Sequence, residues 1–81
     1  MRGHLLYVIT AQVLTSEPGY TEGTQRYTGS RQVPTFYLDS YTQCITSEDQ
    51  AVSIAKTIID PMGTLELVIT AEPRTLSVAG N

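Results

Sequence analysis

One stretch of this chain has the period of a helix, and everything else of regular pattern has the period of a strand. Ala51, Ile54, Ala55 and Ile58 recur at i, i+3, i+4 and i+7, the spacing of a buried helical stripe, and Val52 and Ile59 widen it. Thr46 and Ser47 are N-cap candidates, and Ser47 with Gln50 fits a capping box. Glu48 and Asp49 fall where the helix dipole favours anions, and Lys56 lies towards the opposite end. Asp60-Pro61 stops the helix, because a residue before proline avoids helical dihedrals. A chain with a single helix must bury that helix on a sheet, which confines it to two layers.

The strands follow from period-2 alternation. Over Leu5–Leu14, one face carries Leu5, Tyr7, Ile9, Ala11 and Val13, and the other Leu6, Val8, Thr10, Gln12 and Leu14. Gln32–Tyr41 forms a second strand, with Val33, Thr35 and Tyr37 on one face and Phe36 and Leu38 on the other. Pro34 lacks an amide hydrogen and belongs at a sheet edge or a bulge. Leu65–Ala71 is a third strand, turning Leu65, Leu67 and Ile69 one way and Glu66, Val68 and Thr70 the other, with Glu72-Pro73-Arg74 as its end. Residues 73–81 read as a C-terminal tail, although Leu76 and Val78 would suit a short fourth strand, on this subunit or another. Residues 16–31 are polar and broken by Pro18, Gly19, Gly23 and Gly29; they form either a hairpin arm or a mobile loop, and Tyr27 with its threonines favours partial strand pairing.

The expected fold is therefore a single α+β domain over residues 1–81. It is a small ββαβ two-layer unit with a mainly antiparallel three-stranded sheet, order 2-1-3, and one helix on one face. The other face is half apolar and has nothing in the chain to cover it. At 81 residues, with one cysteine and so no internal disulfide, such a domain is marginal alone. The uncovered face and free strand edges point to a homo-oligomer.

Charge and composition narrow the function. Four Arg and one Lys against eight acidic residues give a net charge of -3, which disfavours binding to a nucleic acid polymer or an anionic membrane. No apolar run is long enough to span a bilayer, and the lone cysteine suits a reducing cytoplasm. His4 is the single histidine and Cys44 the single cysteine, so neither has a second of its kind to complete a metal site, and no metal or cofactor is expected. Cys44 shortly precedes the helix and reads as a buried structural thiol. Asp39, Glu48 and Asp49 do not converge, and Gly19, Gly23 and Gly29 lack the strand–glycine–helix context of a phosphate loop. This inventory argues against an enzyme.

The best ligand or partner candidates are aromatic and arginine side chains in the arm and rim strand: Tyr20, Arg26, Tyr27, Arg31, Phe36 and Tyr37, with Tyr41 nearby. Tyr and Arg anchor interfaces, and Arg also grips phosphates and stacks on bases. Cross-strand pairing that stabilises a hairpin is the simpler account of the same residues.

Val33-Pro34-Thr35-Phe36-Tyr37-Leu38-Asp39-Ser40, Gln43-Cys44-Ile45-Thr46-Ser47-Glu48-Asp49-Gln50-Ala51, and then Ile54-Ala55 and Ile58 resemble a pattern of small bacteriophage accessory proteins, roughly VPTFxLD…QGI…SE..A..IA. The resemblance covers about a third of the chain, and Cys44 stands where that pattern has glycine. It implies a phage origin and a life in the host bacterial cytoplasm, and it carries over no catalytic residues. It also implies a non-catalytic role: engaging a host protein for anti-defence or host takeover, or capturing a small anionic nucleotide signal in an inter-subunit pocket. A structural assembly component is the remaining alternative.

Overall fold

The computed structural model describes residues 3–18, 23 and 25–77, with side chains for 5–16 and 28–75. The elements are β1 (Gly3–Pro18), β2 (Gln25–Asp39), α1 (Glu48–Ile59) and β3 (Glu66–Ser77). The strands form one sheet in the order β2-β1-β3, with β1 antiparallel to both neighbours. This is the α+β architecture that the alternation and the single helix dictate.

The sheet is longer than the alternation suggests. β1 runs on to Pro18 and β2 begins at Gln25, so the flanks of the polar stretch are a paired arm. Residues 19–22 and 24 lie outside the described residues. The molecule extends 61 × 19 × 16 Å, and its radius of gyration of 16.5 Å exceeds the roughly 12 Å of a compact chain of this length.

β3 also continues, through Pro73 to Ser77, rather than ending at Glu72–Arg74. Residues 73–77 are therefore strand, paired with β1, and not tail; Val78 and the residues after it lie outside the described residues. Proline is tolerated there because β3 is an edge strand, which directs alternate amides away from its neighbour.

Two bulges shape β2. Ile9 pairs with Phe36 but Ala11 with Val33, so Pro34 and Thr35 together oppose Thr10. Thr28 is the extra residue of the second, between the Thr15–Gly29 and Ser16–Tyr27 pairs. The first bulge inverts the alternation. Val33 therefore shares the helix-side face with Phe36 and Leu38, whereas strict period-2 reading groups it with Tyr37.

The core lies at one end of the sheet. Tyr7, Ile9, Leu38, Ile45, Ala51 and Ala55 are buried together, and Leu5, Phe36, Ile54, Ile69 and Ala71 pack around them. Two alanines at the helix contact allow close approach of helix to sheet. The helix packs mainly on β3 and less on β1. Ile58 belongs to the stripe by spacing but is 55% exposed, whereas Ile59, one turn on from buried Ala55, is half-buried, so the covered line runs Ala51–Ala55–Ile59.

The helix ends are closed by side chains. Ser47 Oγ accepts the Gln50 N–H at 3.2 Å. The Gln50 side-chain carbonyl takes the Thr46 N–H at 2.6 Å and the Thr46 hydroxyl at 2.8 Å, one residue before the position a strict capping box uses. At the other end, Asp60 is the C-cap, and its N–H donates to the Lys56 carbonyl.

Candidate functional site

The candidate residues divide between two faces and two ends of β2. Arg26 and Tyr27 sit in the arm, at backbone positions opposite Glu17 and Ser16; their side chains, like Tyr20, lie outside the described residues. Arg31 is exposed and pairs with Val13 on the helix-side face. Phe36 lies on the same face but is half-buried against the core, so packing accounts for it. Tyr37 pairs with Val8 on the opposite face and is 58% exposed. Among the described residues, the structure does not gather Arg31, Phe36 and Tyr37 into one pocket.

The open face is built from the second alternation set of β1. Its rows read Asp39–Leu6–Arg74, Tyr37–Val8–Glu72, and Gln32–Gln12–Val68 across the three strands, with Thr10 and Thr70 paired between the last two. The Thr10 and Thr70 hydroxyls are hydrogen-bonded to each other. A shallow cavity of about 320 Å³ lies there, lined by Thr10, Gln12, Gln32, Val68 and Thr70. Val68 is 51% exposed, while Val8, in the centre strand, is almost covered by its flanks.

A second cavity, of about 350 Å³, lies between the β2–α1 turn and the start of the helix and is lined by Gln43, Cys44, Asp49, Gln50, Ser53 and Ile54. Its shape comes from a tight turn. Asp39 Oδ1 accepts the Tyr41 N–H at 2.8 Å, and the Ile45 N–H returns to the Ser40 carbonyl at 3.0 Å. Cys44 closes the turn at φ 53°, the left-handed region that favours glycine. The position where the resemblance has glycine is thus one where this backbone requires a left-handed residue. Cys44 is exposed, contrary to the burial expected of a lone thiol, because that conformation turns its side chain outward. Its Sγ lies 3.8 Å from the Tyr41 carbonyl.

Asp60 is the polar residue the pattern did not single out. It is 5% exposed, and its two carboxylate oxygens accept the Thr64 and Leu65 N–H groups, each at 3.0 Å. The Leu65 bond holds its carboxyl below the usual value of 3.8, opposed by burial and aided by Thr64, Gly63 and the charge of Lys56. The signal was present as Asp-Pro-Met-Gly: an acidic side chain placed to collect the amides of the turn after it.

Among the described residues no cluster of three or more His, Cys, Asp or Glu could hold a metal ion, and no helix is long and apolar enough to cross a membrane. His4 sits in β1 opposite Leu76, with its side chain outside the described residues. Comparison with protein-family models, curated proteins and solved structures finds no match to this chain.

Proposed function

We propose that this chain is a non-catalytic binding protein of the small phage accessory type. It works as a homo-oligomer in the host cytoplasm and engages a host protein in an anti-defence or host-takeover role. The observation that supports this reading is the arm. The β1–β2 ladder runs past the core as an extended, largely polar hairpin, and β2 is an edge strand throughout. An edge strand offers unpaired backbone groups to a partner strand, and Arg26, Tyr27 and Arg31 give that edge the residue types that anchor interfaces. Pro34 and its bulge blunt the edge nearer the core, which leaves the arm as the receptive part.

The test is affinity purification from a bacterial host, with native mass spectrometry of the purified chain. The expected result is stoichiometric capture of a host protein, lost on combining Arg26→Ala with Arg31→Ala while the fold is kept. A bound mass of a few hundred daltons without a protein would overturn this reading in favour of nucleotide capture.

A further inference from the structure

We infer that the open face of the sheet packs on the same face of a second copy, about a two-fold axis running along β1. The inference rests on the oligomeric part of the function proposed above and names the surface. Among the described residues nothing covers this face: Tyr37, Val68, Thr10 and Gln12 are all exposed. Its pattern is self-complementary. The centre strand supplies half-buried Leu6 and Leu14 with exposed Thr10 and Gln12 between them, Val8 being nearly covered, and the flanking strands supply Tyr37 and the charges.

A two-fold axis along β1 lays each centre strand on its own copy and lays β2 on the β3 of the second copy, keeping the rows aligned. Leu6 then meets Leu6, and Arg74 meets Asp39 of the second copy, twice by symmetry. In the next row the Tyr37 hydroxyl comes opposite the Glu72 carboxylate, to which it can donate. An axis across the strands does less: Arg74 would face Glu66, and Asp39 would face Ser30. Sheets packed face to face lie about 10 Å apart at about 30°, an offset that side chains as long as Arg and Glu span. From Leu6 to Leu14 the face measures roughly 27 by 14 Å at the usual strand spacings. That is small beside a standard interface of about 800 Å² per partner, so the dimer should dissociate on dilution.

Sedimentation of the full chain from micromolar to millimolar concentration tests this. The expected result is a concentration-dependent dimer. Arg74→Glu and Asp39→Arg should each weaken it on the order of tenfold or more, because each substitution reverses two contacts. Mixing the two variants should restore it, since the mixed dimer has both pairs matched. Gln12→Arg sets two guanidinium groups on the axis and should weaken the dimer without touching the Asp39 turn. A monomeric wild-type chain overturns the inference whether or not a host protein is captured. So does a dimer unmoved by Asp39→Arg or Gln12→Arg in chains that circular dichroism shows folded. Dimerisation with this charge pattern supports it, again independently of any captured protein.

Discussion

The two ends of the β1–β2 ladder use the same backbone pairing and differ in everything laid upon it. At the covered end, Tyr7 and Ile9 face Leu38 and Phe36 under the helix, and Ile9 is fully buried. At the arm end, Thr15, Ser16 and Glu17 face Gly29, Tyr27 and Arg26, and the helix does not reach them. Hydrogen bonds in a two-stranded ladder are nearly balanced by those water would make, so pairing alone confers little stability. The difference teaches that the covered end holds the molecule together, while the arm is carried by it.

Breaking the covered end should therefore have the largest effect. Ile9→Ala should cost about 3–4 kcal/mol, enough to unfold much of a small domain at 25 °C, as read by urea denaturation. Asp60 comes next, because it ties the helix end to the start of β3. Its carboxyl titrates lower in the folded than in the unfolded chain, so its contribution is complete above the ordinary value and is lost as pH falls through the folded one. Thermal melts from pH 6 to pH 2 should show a decline below about 3.8 that is shallower in Asp60→Asn.

The turn into the helix gives a smaller and more diagnostic effect. Cys44→Val should destabilise by about 1–2 kcal/mol, since a β-branched residue fits φ 53° poorly, whereas Cys44→Gly should be neutral or stabilising. The arm should respond least. A Cβ at Gly29 meets nothing within 4 Å, and Gly29→Ala should raise stability by no more than about 0.5 kcal/mol, through the unfolded chain. A large loss there would show that the arm contributes to the core after all.

Much of the fold was legible because local patterns agreed with one another. The helix could be bounded from Ser47 and Asp60-Pro61, and the central place of β1 from its apolar faces. The strand ends were not, because Pro18 and Pro73 look like terminators in isolation, and only their positions in paired strands make them tolerable. The facing of Val33 was hidden for a similar reason: a bulge depends on what the partner strand demands, and one strand's sequence does not record it. The candidate set in β2 gathered residues by type, and the sheet then separated Phe36 from Tyr37 by turning successive side chains to opposite faces. Ile58 shows the limit of periodicity: Ile58 and Ile59 both border the stripe, and packing alone turns Ile59 rather than Ile58 towards the core.

The bulges at Pro34–Thr35 and Thr28 also determine where this chain can change length. Each is a place where β2 holds one residue more than β1 requires. Losing Thr35 or Thr28 would straighten the strand locally and leave every other pairing intact. Losing Tyr37 instead would move Phe36 opposite Val8 and Thr35 opposite Ile9 before the bulge took up the shift, turning Phe36 out of the core. The irregularities thus act as slack in an otherwise rigid register, and length variation in β2 should be tolerated at those two points and rejected between them.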